Sequence, residues 1–159
     1  MSKLKLYFET SVWNYACGQG GPEAQEATLQ LLAAAKTGGY EVFVSTLVLP
    51  ELLRTSDPSR REKLMQAVAE HQPVELDVDA DAERLADQYV AHQLVVERYR
   101  NDAVHVAIAT LAQIDIVVSW NLKHIVNPRT RRTVNGLNNM LGYGRIDFGT
   151  PEEVLADAP

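Results

Sequence analysis

Short apolar segments alternate with longer amphipathic segments along the chain. Residues 3–8 alternate between apolar and polar side chains, which predicts a β-strand. Residues 22–37 have helical periodicity, and they begin at Pro22 and stop before two glycines, as helices commonly do. The same alternation continues downstream. We predict strands at 40–45, 73–78 and 114–119, and helices that begin near Thr46 and cover 59–71, 79–93 and 101–113, with Asn101 as an N-cap.

This repetition of strand and helix predicts an α/β fold in three layers. Helices would cover both faces of a mostly parallel central sheet. The segment 114–119 is almost continuously apolar, as expected of a parallel strand that is buried on both sides. Since the sequence contains no internal repeat and no linker, we predict one domain over residues 1–159.

The composition is that of an ordinary soluble protein and favours the cytoplasm. No apolar run is long enough to cross a bilayer, and Lys3 and Lys5 do not precede a signal-peptide core. The single Cys17 cannot form an internal disulfide, which fits a reducing compartment. The net charge of −6 argues against broad electrostatic binding of nucleic acid. However, carboxylates that hold a metal ion would themselves contribute negative charge.

Polar side chains follow the predicted strands at their carboxyl ends, where open parallel sheets carry their sites. Carboxylates held close together repel each other unless a cation lies among them. A set of oxygen ligands without paired cysteines favours Mg²⁺ or Mn²⁺ over zinc, and such an ion can activate water and stabilise a phosphate. The candidates at this edge are Glu9, Thr10, Ser11, Ser45, Thr46, Glu51 and residues 119–124, joined by Asp102 if its helix begins at the same edge.

Four segments, in this order, resemble the PIN domain family: YFETS, TLVLPELL, NDAVHVAIAT and VVSWN. These proteins are metal-dependent ribonucleases, and many are the VapC toxins of toxin–antitoxin pairs. SWNLKHIVNP and GYGRIDFGTPEEVL also resemble a branch with a WN-x-x-H element. The resemblance implies a PIN-like α/β/α sandwich and a cytoplasmic endoribonuclease that uses Mg²⁺ or Mn²⁺. It also implies RNA as substrate, a cognate antitoxin and a homodimer.

The resemblance assigns the family's acidic positions to Glu9, Glu51, Asp102 and Asn121, which would bind the metal and form the catalytic site. Glu9 is one methylene longer than the more common Asp. The amide oxygen of Asn121 can still bind a cation or a metal-bound water, but it supplies no charge and cannot act as a base. Two hypotheses therefore stay open: an active ribonuclease, and a catalytically weakened PIN-like module that binds RNA or a protein.

Residues beside this edge each have a functional and a structural interpretation. Thr10 and Ser11 would orient water or phosphate, or they would only cap a turn. Lys123, His124 and Arg129 belong to the basic segment KHIVNPRTRR, which would guide RNA or would form a solvated helix face. The ring of His124 would contact phosphate or instead bond to a nearby carbonyl.

Three further features have a preferred or open interpretation. We interpret His105 as a structural residue of a packed helix rather than a partner of Asp102, and we expect Trp120 to pack over the end of the sheet. A second basic cluster would meet an antitoxin or a second subunit. Its members are Arg54, Arg60, Arg61 and Lys63.

Overall fold

The strands of the molecule form one parallel sheet. The computed structural model describes residues 3–157. The strands are β1 (Leu4–Phe8), β2 (Tyr40–Ser45), β3 (Val74–Leu76), β4 (Ile116–Val118) and β5 (Asp147–Gly149). They lie in the order β3-β2-β1-β4-β5, and each neighbouring pair is parallel. The predicted fold class is confirmed, and the sheet is parallel throughout.

Helices connect these strands and cover the sheet. They are α1 (Thr10–Ala16), α2 (Pro22–Lys36), α3 (Val48–Leu53), α4 (Pro58–His71), α5 (Ala80–Ala91), α6 (Arg100–Leu111), α7 (Pro128–Leu141) and α8 (Pro151–Ala156). A 3-10 turn at Glu97–Tyr99 precedes α6. Within residues 3–157 the structure contains no helix with the length and apolar character needed to cross a bilayer.

The two faces of the sheet bury alternate residues of each central strand. On β1, Tyr7 belongs to the core beneath α5, α6 and α7, whereas Leu6 and Phe8 belong to the core beneath α1, α2 and α4. On β4, Val117 and Val118 divide between the two cores in the same way. Successive side chains of a strand point to opposite faces, so this division produces the three layers.

Most predicted elements are present with shorter ends, and one predicted cap is wrong. Asn101 is not the N-cap of α6: the helix already begins at Arg100, and Tyr99 occupies the cap position. The reason is that the 3-10 turn leads directly into the helix, so Asn101 lies within the first turn. Helix α1, which the hydrophobic pattern did not predict, starts directly behind β1 because Glu9 caps it with its own side chain.

The order of the strands sets the position of the site. The chain runs outward through β2 and β3 on one side of β1, and then through β4 and β5 on the other side. The connection that leaves β1 therefore runs towards β2, and the connection that leaves β4 runs the opposite way, towards β5. In parallel sheets such a switch point opens a crevice at the carboxyl ends of the strands. Glu9 follows β1 and Ser119 follows β4, so both lie at this crevice.

Candidate active site

Glu9 is held by one of its two carboxylate oxygens. Its backbone N–H donates to the carbonyl of Val118, which fixes the residue between β1 and β4 (3.1 Å). Its Oε1 accepts hydrogen bonds from the Ser11 amide (3.1 Å), the Ser11 hydroxyl (2.5 Å) and the Ser119 hydroxyl (2.7 Å). Oε2 has no hydrogen-bond donor within residues 3–157. Thus the residues after two strands anchor one oxygen and leave the other available.

Glu51 shows the same arrangement on the neighbouring helix α3. Its Oε1 accepts from the Thr10 hydroxyl (2.5 Å) and from Nε2 of His105 (2.8 Å). Burial raises the pKa of Glu51, but the hydrogen bonds from His105 and Thr10 and the charge of Arg54 bring this pKa below its usual value. Glu51 is therefore ionised at neutral pH. Its Oε2, like that of Glu9, has no donor in the described part of the chain.

Asp102 lies in the first turn of α6 and completes the acidic edge. Its pKa is raised from 3.8 to about 6 because of burial and because the charges of Glu9 and Glu51 disfavour a third negative charge. The charge of His105 and a hydrogen bond from the side chain of Asn121 partly oppose this shift. The positive charge around Asp102 is thus too small to offset its burial and the repulsion from the two glutamates.

These contacts join the four candidate residues into one neighbourhood. Thr10 follows Glu9 in the chain and binds Glu51. Ser119 binds Glu9 and also accepts from the backbone N–H of Asn121 (2.9 Å), and the side chain of Asn121 is close enough to Asp102 to lower the pKa of that carboxyl. Glu9, Glu51, Asp102 and Asn121 therefore lie at the same edge of the sheet, although they are far apart in sequence.

The donor set of this edge suits a hard divalent cation. Among the described residues, Trp13 Nε1 is the only buried side-chain nitrogen or oxygen without a partner, so the Oε2 atoms of Glu9 and Glu51 are not sealed from solvent. Among residues 3–157, no group of three or more His, Cys, Asp or Glu side chains is arranged so that it could hold a metal ion by direct contact. Mg²⁺ does not need such a cage, since it commonly takes one or two carboxylates and completes its shell with water. The residues present fit an ion of this kind.

Of the predicted RNA-binding residues, His124 and Lys123 lie nearest to the site. The backbone N–H of His124 donates to Oδ1 of Asn121 (3.0 Å), and its ring packs on Tyr99 at a centroid distance of 4.3 Å. Partial burial and the charges of Lys123 and Arg98 lower the pKa of His124. The ring is therefore neutral at neutral pH. Lys123 is exposed, and no hydrogen bond or ion pair of the described residues engages its ammonium group.

Four arginines of the basic segments bind the protein itself. Arg129 donates to the carbonyls of Gln93 (2.8 Å) and Leu94 (3.4 Å), and Arg131 pairs with Asp147. In the second cluster, Arg60 donates to the carbonyls of Asn14 and Cys17, and Arg61 donates to the carbonyl of Thr55. These guanidinium groups tie neighbouring segments together, so the surface has fewer available cations than the sequence indicates.

The sequence interpretation of His105 missed its contact with the acidic edge. The ring is fully buried in α6, as expected of a packed helix, but it bonds to Glu51 and not to Asp102. Its other nitrogen, Nδ1, lies 2.6 Å from the hydroxyl of Tyr7. A polar ring at a fully buried position of an apolar helix was the available signal, because such a ring needs partners. Trp120 stacks on Tyr15 of α1, with a centroid distance of 5.0 Å.

Comparisons with known proteins identify the family. The PIN domain family model matches residues 6–123, which include all four candidate residues and more than half of the chain. The chain therefore belongs to the PIN domain family, and the resemblance seen in the sequence is confirmed.

Solved structures of VapC toxins have the same fold. One is VapC20 of Mycobacterium tuberculosis, a sarcin–ricin loop cleaving toxin, with a TM-score of 0.59 and 19% identity over 75% of this chain and 92% of that chain. Another is VapBC2 of Rickettsia felis, which was solved bound to a DNA fragment from the VapBC2 promoter. Its TM-score is 0.58, with 15% identity over 92% of this chain and 98% of that chain. At these identities the likeness establishes the fold. A comparison with curated proteins gives no match.

Proposed function

We propose that the protein is a divalent-metal-dependent endoribonuclease of the VapC type and the toxin of a toxin–antitoxin pair. One observation carries the proposal: Glu9 and Glu51 each have one anchored oxygen and one oxygen without a protein donor, beside the poorly compensated carboxylate of Asp102. Such an arrangement is unfavourable by itself and becomes favourable around a cation. Membership in the PIN domain family supports the same activity.

The side chains divide the work of the proposed site between them. Glu9, Glu51 and Asp102 would hold Mg²⁺ or Mn²⁺, in part through metal-bound water, and Asn121 would complete the shell through its amide oxygen or through a bound water. When bound, the ion supplies an activated water and stabilises charge on the phosphate. Thr10, Ser11 and Ser119 keep the glutamates in place, since their hydroxyl groups donate to the anchored oxygens.

RNA would reach this edge from the side of the loop that follows β4. Lys123 is an exposed cation there, and the neutral ring of His124 lies beside Asn121. We propose that both contact the sugar–phosphate backbone. Arg129 would add to binding only where its charge reaches the substrate, because its hydrogen bonds go to the loop at Gln93 and Leu94.

The VapC-type fold also supports proposed partners and a location. Since one of the similar structures is a VapBC assembly, we propose a cognate antitoxin for this chain. We further propose a homodimer and action in the cytoplasm, where the single Cys17 would stay reduced.

A second function is favoured by one observation, the amide at position 121. Without a fourth carboxylate the site would bind a cation more weakly, and the protein would act as a PIN-like module that binds RNA or a protein. Asn121→Asp separates the two functions. If this change created cleavage that the native protein lacks, the binding function would be supported, whereas cleavage by the native protein supports the ribonuclease.

Cleavage of structured RNA tests the proposed function. Native protein and Asp102→Asn would be incubated with the RNA in Mg²⁺ or Mn²⁺, and then in excess chelator. We expect cleavage only by native protein with the metal ion, because Asp102→Asn removes a ligand charge. Equal cleavage by both proteins would show a contaminating nuclease and would contradict the assignment.

A further inference from the structure

A buried chain of hydrogen bonds runs from β2 to the acidic edge. The Leu47 amide donates to the hydroxyl of Ser45 (3.2 Å), and this hydroxyl lies 2.8 Å from that of Tyr7. The Tyr7 hydroxyl lies 2.6 Å from Nδ1 of His105, whose Nε2 lies 2.8 Å from Oε1 of Glu51. Tyr7, Ser45 and His105 are completely buried. The chain thus links the rigid centre of the sheet to one carboxylate.

The direction of the last bond is independent of the charge of His105. An ionised Glu51 can only accept, so Nε2 carries the hydrogen in the neutral ring and in the charged ring alike. The hydroxyl of Tyr7 donates to Nδ1 of the neutral ring or accepts from the charged ring, and that of Ser45 adjusts in turn. His105 therefore donates to Glu51 in both states.

Glu51 requires this support more than Glu9 does. Glu9 is fixed by its own helix cap and by two serines. Glu51 lies on a helix of only six residues, and its long side chain has Thr10 and His105 as its two donors within the described chain. Without His105, Glu51 would keep Thr10 as its one donor within the described chain and could rotate about its side-chain bonds, so its Oε2 would no longer be held in one position.

We infer that His105 is a positioning residue for Glu51, and that Tyr7 in turn holds the ring of His105, so that the pair prepares one ligand of the divalent cation. The inference rests on the proposed function. Groups that orient metal ligands typically contribute tenfold to a hundredfold to metal affinity. His105 and Tyr7 would then affect the metal without touching it.

Titration of the protein with Mn²⁺ alone, followed by calorimetry, tests this role. We expect His105→Leu to weaken Mn²⁺ binding about tenfold or more, and Tyr7→Phe to weaken it less, since the ring of His105 stays in place. His105→Gln should restore much of the affinity, because its amide N–H can replace Nε2. Tyr89→Phe is the matched control. Tyr89 is equally buried in the same core and bonds to Thr110 and Asn138, so its loss should leave Mn²⁺ affinity unchanged.

A double-mutant cycle distinguishes positioning from general support of the fold. In a Glu51→Gln background, His105→Leu should cause no further loss of Mn²⁺ affinity, because the two residues act through one ligand. The inference would be overturned if His105→Leu left Mn²⁺ affinity unchanged. It would also be overturned if His105→Leu reduced this affinity equally in native protein and in the Glu51→Gln background. If His105→Leu does not fold, the same cycle is measured with Tyr7→Phe in its place and with Tyr89→Phe as the control. The loss of Mn²⁺ affinity caused by Tyr7→Phe should then disappear in the Glu51→Gln background.

Failure of the proposed function gives a different result. In that case native protein would bind no Mn²⁺, or Glu51→Gln would bind it as native protein does. If only the inference about His105 fails, Glu51→Gln will bind Mn²⁺ more weakly than native protein, whereas His105→Leu will bind it as native protein does. Thermal melts without metal show which variants are folded.

Discussion

The negative charge of Asp102 is stabilised by fewer contacts than the charges of Glu9 and Glu51. Glu9 receives three hydrogen bonds and Glu51 two, whereas Asp102 faces both of these negative charges. Its pKa of about 6 means that the folded protein favours the protonated form more than the unfolded chain does. This carboxylate therefore opposes folding once it is ionised. Residues of a site are commonly retained for function at such a cost in stability.

We predict that Asp102→Asn stabilises the metal-free protein at neutral pH. The contribution of Asp102 to native stability falls as pH rises from about 4 to about 6, since this buried carboxyl must lose its proton, and Asn has no such step. The variant should be more stable by about 1–3 kcal/mol above pH 7, with the difference vanishing near pH 4. Urea unfolding at both pH values measures this. Asp77→Asn, the same change at an exposed position, should show no such pH dependence.

Asn121→Asp should tighten binding of Mn²⁺ about tenfold, because a fourth negative charge is added beside the other three. The new carboxylate still accepts from the backbone N–H of His124, but it adds a negative charge next to Asp102, where the neutral amide lowered the pKa of that carboxyl. Without metal, the variant should therefore be less stable than native protein. Calorimetry and urea unfolding give the two quantities. Unchanged affinity would place position 121 outside the metal shell.

At the scale of residues, the sequence correctly predicts the position of a site residue where a strand of the sheet fixes that position. Glu9 and residues 119–121 follow parallel strands, so the fold brings them together. Glu51 was a candidate because it closely follows a predicted strand, and Asp102 was one on the condition that its helix begins at the same edge. The family resemblance then assigned both to the metal site. The contact of His105 was missed because Glu51 is 54 residues away and the surrounding segment is apolar.

At the scale of elements, the turn between α1 and α2 depends on a glycine. Gly20 has φ +88°, and a Cβ atom there would come within 2.3 Å of the ring of Tyr15. That ring cannot easily yield, because Trp120 stacks on it at 5.0 Å and is itself bonded to Thr28. The turn therefore supports the segment that leads into Asn121.

We predict that Gly20→Ala is more destabilising than Gly21→Ala by about 1–3 kcal/mol. Gly21 has a similar φ of +93° but no atom within 4 Å of its Cβ position, so the difference measures the collision alone. Gly20→Ala should also change the fluorescence of Trp120 through displacement of Tyr15. Equal stabilities of the two variants in urea unfolding would show that the turn can move away from the ring.

The elements themselves were predictable to different degrees. The strands up to β4 and the helices α2, α4, α5 and α6 have clear periodicity or clear start and stop residues, and all are present. Most are shorter than predicted, β2 has its predicted bounds, and α4 and α6 each begin one residue earlier than predicted. Helix α1 escaped prediction because its seven residues carry no sustained pattern and depend on the side-chain cap by Glu9. Strand β5 has only three residues, and pairing with β4 rather than its own sequence defines it.

At the scale of the whole molecule, the charge distribution limits how RNA is bound. The net charge is −6, and Arg129 and Arg131 bond to the protein. We therefore predict a shallow dependence of RNA affinity on salt, with a slope of about −1 to −2 in log K against log salt, which corresponds to two or three phosphate contacts. Binding by Asp102→Asn, measured by fluorescence anisotropy, avoids cleavage.

Lys123→Gln should reduce the magnitude of this slope by about 0.7, because it removes one contact. Lys3→Gln is the matched control and should change the slope little, because Lys3 is also exposed but precedes β1, at the opposite edge of the sheet. A slope near −5 for the starting protein would contradict the prediction and would indicate a broad cationic surface.

Binding of Mn²⁺ by single-carboxylate variants tests the central claim most directly, namely that Glu9, Glu51 and Asp102 share one cation. Calorimetric titration should give one ion per chain for native protein. Glu9→Gln, Glu51→Gln and Asp102→Asn should each bind at least about tenfold more weakly, since each loses a ligand charge, while the exposed control Glu75→Gln should bind as native protein does. Affinity equal to the native value in the three site variants, or no binding by the native protein, would contradict the account.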